Sequence, residues 1–277
     1  MKRILYVANA LKPNAGRLEF TLYICRLIDA GLKTLFYIDK EEEVADASWV
    51  KEAAMHAEIP DNFKIGTLKE QLCERHMHEF KVKCEREGIS CSIHTAEKNY
   101  LQEILLESRY ADLVLLDVAL AFTPGHITIP TPLAEDILRG AECPVIALPE
   151  VFNKIDELVV TYDGRISSMY AIRQFTYLFP QFKDVRVAVI SINPEVVIPE
   201  ERYKFLEWMH DHYSDINYFA VDGDERKGLL EILLQQKDVF ILMGAYGRSR
   251  FSTYLHPSHA DSVLRMSGQP VFMVHPQ

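Results

Sequence analysis

Residues 111–148, ADLVLLDVALAFTPGHITIPTPLAEDILRGAECPVIAL, and residues 238–274, DVFILMGAYGRSRFSTYLHPSHADSVLRMSGQPVFMV, align without a gap once Lys237 is set opposite Ala111. Asp112 then falls on Asp238, Ala134 on Ala260, Leu138-Arg139 on Leu264-Arg265, and Pro144-Val145 on Pro270-Val271. Each segment reads as an apolar strand, a polar loop, a short helix and a second apolar strand that begins beside proline. Self-similarity of this kind marks a duplicated structural unit. The opening strands repeat too, with Ile4-Leu5-Tyr6-Val7-Ala8-Asn9 matching Leu158-Val159-Val160-Thr161-Tyr162-Asp163. Two matches in the same order predict two tandem copies, 1–152 and 153–277, joined near Pro149–Asp156. The 277 residues suit two domains, each able to bury its own core.

Within each copy strands and helices alternate. Strands are expected near 3–8, 33–38, 89–94, 112–117 and 144–148, then near 157–162, 185–191, 216–221, 238–243 and 270–274. They are short Val/Ile/Leu runs with little polar alternation, the pattern of strands covered on both faces of a parallel sheet. Helices are expected near 17–30, 41–57, 66–87, 99–109 and 132–139, then near 167–179, 199–212, 225–236 and 259–266. Their apolar residues recur at helical steps, as at Leu101, Ile104 and Leu105. This alternation predicts right-handed crossovers and an α/β fold with a doubly wound parallel sheet.

Forty acidic against thirty basic side chains give a net charge of −10, which repels phosphate backbones, so no nucleic-acid partner is expected. No apolar run reaches the ~18 residues of a membrane span, so no membrane partner is expected. Five cysteines, an odd number without a CxxC pair, point to reduced thiols and a cytoplasmic protein. GxxxxGK[ST] and GxSxG are both missing, which argues against a P-loop ATPase and a serine hydrolase. His76-Met77-His78 and His210-Asp211-His212 sit on expected helices, where a spacing of two separates the side chains, so they read as solvated surface and no metal site is expected.

Ligands of doubly wound sheets gather outside the carboxyl ends of the strands, where chain order reverses, so the loops after the first and fourth strands carry the information. The second copy has Asp163-Gly164 after its first strand and Gly244-Ala245-Tyr246-Gly247-Arg248-Ser249-Arg250 after its fourth. Glycines let a backbone approach a ligand, and successive N–H groups form an anion nest. A short helix from Ser258 adds an amino end and a hydroxyl, and Arg248 and Arg250 add charge. Each residue also has a plainer role: Asp-Gly is a turn pair, Ser258 is an N-cap, and the arginines are solvated.

Together these residues resemble the universal stress protein family, over essentially the whole chain as two copies. The resemblance implies two tandem flavodoxin-like (adenine nucleotide α-hydrolase-like) domains, each a five-stranded parallel sheet flanked by helices. Nucleotide-binding members carry a strand-end Asp and a G-x2-G-x9-G-[ST] motif. Asp163, Gly244, Gly247 and Ser258 match it here, but Pro257 stands at the third glycine. Proline lacks an N–H, so one phosphate contact is lost unless Pro257 merely starts the helix. By this resemblance Asp163 and Ile192 meet base and ribose, and Met243, Gly244, Gly247, Arg248 and Ser258 belong to the same cofactor site. The implied ligand is ATP, with Mg, or AMP, bound without catalysis in a stress-response protein. A ligand-free scaffold with an unidentified protein partner is the alternative, and a slow ATPase the third. In the first copy Asn9 replaces the Asp, Val118 and Ala121 replace the glycines, and Thr131-Pro132 replaces Pro257-Ser258, so that copy reads as structural or as a site for another ligand. Val145–Leu148 is expected beside Val271–Val274, pairing the copies within one chain, with a homodimer as a further arrangement.

Overall fold

The computed structural model describes residues 2–37, 65–96, 99–120, 130–192, 197–221, 237–244 and 268–274. The chain divides into two compact units, Met1–Ile137 and Leu138–Gln277. In the first unit, β1 (Lys2–Asn9), α1 (Ala15–Ile28), β2 (Ala30–Tyr37), α2 (Ile65–Arg86), β3 (Cys91–Ala96), α3 (Tyr100–Ser108) and β4 (Leu113–Leu116) follow one another. The strands pair in the order β3-β2-β1-β4, all parallel. Helix α4 (Pro132–Gly140) spans the division. The second unit contains β5 (Val145–Ala147), β6 (Glu157–Tyr162), α5 (Ile166–Leu178), a 3-10 turn at Pro180–Phe182, β7 (Arg186–Ile192), α6 (Pro199–His212), β8 (Ile216–Val221), β9 (Val239–Met243) and β10 (Val271–Met273).

In the second unit β10, β9, β6, β7 and β8 run parallel in that spatial order. Both copies thus place their first strand between their second and fourth, and chain order reverses between first and fourth. The fifth strand of the first copy, β5, belongs to the second unit and runs antiparallel to β10, with Val271 opposite Ala147, Phe272 opposite Ile146 and Met273 opposite Val145. The expected pairing of these two segments is therefore present. The compact units divide at Ile137, earlier in the chain than the join expected near Pro149–Asp156.

The strands form where short apolar runs are buried on both faces: every residue of Leu113–Leu116 and of Val239–Met243 is buried. Strand β2 begins at Ala30, three residues before its expected start. Asp29 closes α1 in the left-handed conformation (φ 51°), so the chain enters the strand at once. Ala30-Gly31, a turn pair by composition, is held by register against Lys2 and Arg3. The expected helices 41–57, 225–236 and 259–266 lie outside the described residues.

Aromatic rings fill the core of each unit. In the first, Tyr6 and Phe80 stack with centroids 5.4 Å apart and Phe36 meets Phe80 edge-on, also at 5.4 Å. In the second, Phe175 of α5 meets Phe240 of β9 at 5.0 Å and Phe272 of β10 at 5.2 Å, both edge-to-face. That single side chain ties the helix to two neighbouring strands, in a geometry that adds to simple burial.

Candidate functional site

Asp163 follows the last residue of β6, and its side chain is 37% exposed. Oδ1 accepts a hydrogen bond from the Arg165 amide at 3.1 Å, while Oδ2 lies 3.8 Å from Arg165 Nε. Gly164 between them has φ +73°, and a β-carbon there would fall 2.7 Å from Val197 Cγ2. The turn thus needs glycine twice over, for its left-handed backbone and for space. Helix α5 starts directly afterwards. Its N-cap, Arg165, is extended and makes no capping bond with its side chain. The first-turn amides of such a helix carry its partial positive charge.

Gly244 follows β9 and packs against the same turn. A β-carbon on it would stand 3.0 Å from the Ser168 nitrogen and 3.1 Å from the Ser168 α-carbon. Thr161 Oγ1 donates to the Leu242 carbonyl at 3.1 Å, binding the ends of β6 and β9 together. Met243 is buried at the end of β9. Ile192 ends β7, one step beyond the Tyr162–Ser191 register pair. The structure therefore brings Asp163, Ile192, Met243 and Gly244 to the carboxyl ends of three adjacent strands. Gly247, Arg248, Pro257 and Ser258 lie outside the described residues.

Behind this edge, Tyr162 stacks on Phe205 of α6 at 3.8 Å. Burial, then the Glu201, Tyr218 and Asp163 charges, push its phenol well above the ordinary range, so it stays protonated.

The first copy treats the same place differently. Asn9, at the Asp163 position, keeps the local turn by accepting from the Leu11 amide at 2.8 Å. Asp117, opposite Met243 in the repeat, is only 4% exposed. Its Oδ2 accepts from Arg17 Nη1 at 2.8 Å, and its Oδ1 accepts from the Ala119 amide at 2.9 Å. Arg17 stands in the first turn of α1 with an 11% exposed side chain. A buried carboxylate of the chain itself thus neutralises the cation at the strand-order reversal. Thr131 is engaged as well: its hydroxyl donates to the Leu120 carbonyl and accepts from the Ala134 amide at 3.2 Å, capping α4. Thr123 and Thr128 lie outside the described residues.

Sequence reading missed the Arg17–Asp117 pair. The signal was a lone Asp closing the apolar run Leu113–Leu116, since a charge there requires a partner. The reading of His76 as solvated needs correction. It is buried, with Nδ1 2.8 Å from the Ala10 carbonyl, because this face of α2 packs on the β1–α1 turn. His78 is exposed. Among the described residues no three His, Cys, Asp or Glu side chains gather as metal ligands would, and no helix is long and apolar enough to cross a membrane.

No family model matches the sequence, and no curated protein matches it. Solved structures do. A universal stress protein from Archaeoglobus fulgidus DSM 4304 aligns with a TM-score of 0.68 at 15% identity, over 98% of this chain and 96% of that one. A candidate universal stress protein from Pseudomonas aeruginosa UCBPP-PA14 gives 0.64 at 15% identity, over 100% and 94%. A functionally unknown protein from Pseudomonas aeruginosa PAO1 gives 0.62 at 16% identity, over 100% and 93%. At these identities the likeness is one of fold.

Proposed function

We propose that this chain, which has the fold of a universal stress protein along its whole length, is a regulatory binding protein whose second copy takes an adenine nucleotide, ATP or AMP. The observation that supports this reading is the difference between the copies. At the strand-order reversal the first copy buries its own Arg17–Asp117 ion pair. The second has an N-cap without a side-chain capping bond on α5, a part-exposed Asp163 and a glycine at 244. In the proposed complex Asp163 and Ile192 face base and ribose. Gly244, Gly247, Arg248 and Ser258 lie along the phosphates, Met243 belongs to the same site, and Mg accompanies ATP. Stress-response regulation through a protein partner is part of the same proposal, and catalysis is not.

The test is calorimetry of the purified full chain with ATP, ADP and AMP, with and without Mg. Saturable binding below millimolar nucleotide is expected. Asp163→Ala is expected to weaken it about tenfold or more, the size of a lost hydrogen bond to a charged group. No heat and no co-purified nucleotide at millimolar concentrations would defeat the proposal. One observation favours a second reading, a ligand-free scaffold: the space a Gly244 side chain would need is already filled by the α5 backbone. Folding alone therefore accounts for that glycine, and null titrations would leave this reading standing.

A further inference from the structure

Three thiols converge within the first unit, none of them among the residues of the proposed nucleotide site. Cys84 is in the last turns of α2, Cys91 opens β3, and Cys25 is on α1. Cys84 and Cys91 are joined by a side-chain hydrogen bond, and Cys25 is close enough to feel the charge of Cys91 and to act on Cys84. The link between the first two is a tight turn. The Cys84 carbonyl accepts from the Ile89 amide at 2.9 Å and from the Glu87 amide at 3.1 Å, and Gly88 is left-handed at φ +70°. Thr34 Oγ1 lies 3.7 Å from Cys91 Sγ. Cys84 and Cys25 are buried, whereas Cys91 is half-buried on a strand at the sheet edge.

We propose that Cys91 is a peroxide-sensitive thiol and that Cys84 is the partner that resolves it into a disulfide. Cys91 has the means to ionise. The Cys84 hydrogen bond, the Thr34 hydroxyl and the Lys81 charge favour its thiolate, against burial and the Glu85 carboxylate, and the net effect lowers it from the ordinary thiol range. Cys84 is held up as the protonated donor by that hydrogen bond and by burial. A lowered, accessible thiolate is the reactive form of cysteine. A sulfur lone pair of Cys91 attacks one oxygen of hydrogen peroxide, the O–O bond breaks, and the departing hydroxide takes a proton to become water. Cys91 is then a sulfenic acid, oxidised by two electrons. Cys84 gives up its proton and its sulfur attacks Cys91. The S–O bond breaks and a second water leaves, so two thiols and one peroxide become one disulfide and two waters. A dithiol reductant reverses the change.

The experiment treats the reduced full chain with stoichiometric hydrogen peroxide, blocks remaining thiols, and maps the peptides by mass spectrometry. A cross-linked Cys84–Cys91 peptide is expected, with Cys143 left alkylated. Before oxidation, Cys91 should alkylate at neutral pH faster than Cys143, about tenfold or more, as a thiol lowered from its ordinary range implies. Cys84→Ser should leave a sulfenic acid on Cys91 that dimedone traps. Peroxide that leaves Cys84 and Cys91 reduced, or that oxidises Cys143 at the same rate, overturns the proposal on the unmodified protein, whatever the variant does.

Discussion

Replacing Gly244 with alanine would put a β-carbon within 3.0 Å of the Ser168 nitrogen, part of the backbone rather than a flexible side-chain end. The first turn of α5 or the end of β9 must then move, and overpacking of this kind costs about 1–3 kcal/mol. Gly244→Ala is therefore expected to lower the urea midpoint with or without nucleotide. An unchanged midpoint would mean that this contact relaxes freely. Asp117→Ala is expected to be at least as costly, because it takes the carboxylate from a largely buried Arg17; breaking a fully buried pair costs about 3–5 kcal/mol, an upper bound for this part-buried one. Replacing Arg17 and Asp117 together by apolar residues should recover much of that loss in the same measurement. Sequence alone exposed the Asp163 turn and the glycine because both sit at fixed offsets from readable strands. It hid the Arg17–Asp117 pair because the partners are 100 residues apart and only the parallel alignment of β1 with β4 brings them together.

Strands and helices were largely readable, for a physical reason. A strand buried on both faces tolerates little but apolar residues, so Val239–Met243 and Glu157–Tyr162 advertise themselves. Boundaries set by backbone conformation were not, as the early start of β2 after the left-handed Asp29 illustrates. The short 3-10 turn at Pro180–Phe182 is a similar case: its Phe182 joins the aromatic cluster around Phe175, at 5.7 Å, and only tertiary packing shows this. Phe272, the middle residue of β10, meets Phe175 and Phe179 edge-on and is fully buried between the pairings with β5 and β9. Phe272→Ala is expected to cost about 3–5 kcal/mol, the usual loss for a large ring removed from a core. Thermal unfolding followed by circular dichroism would check it, and a cost below about 1 kcal/mol would show that the cluster closes around the gap.

For the molecule as a whole, burial leaves several acids reluctant to ionise. It pushes the Cys25 thiol up to about 12, the Cys73 thiol to about 11 and the Tyr213 phenol to about 12, with Tyr6 and Tyr162 also raised. Above the ordinary thiol value of 9.0 the unfolded chain sheds these protons while the folded one keeps them. Their contribution to stability is thus complete below that pH and is lost as pH climbs toward the raised values. Urea midpoints should fall as pH rises from about 9 toward about 11, and a flat profile would contradict the assignment. Cys91, whose thiol is lowered, runs the other way: its contribution grows as pH approaches the ordinary thiol value and is complete above it. The two copies, alike in strand order, differ in what closes their strand ends, and that difference was half visible in the sequence as Val118 and Ala121 in place of glycines. The antiparallel register of Ile146 with Phe272 has a consequence for anyone cutting the gene at the repeat boundary. A fragment beginning at Asn153 would bare the main-chain ladder along Val271–Met273, and an uncovered ladder recruits whatever strand it meets. Such a piece should self-associate as its concentration rises, visible as an early shoulder on a sizing column, until a peptide spanning Pro144–Leu148 is supplied to cap it.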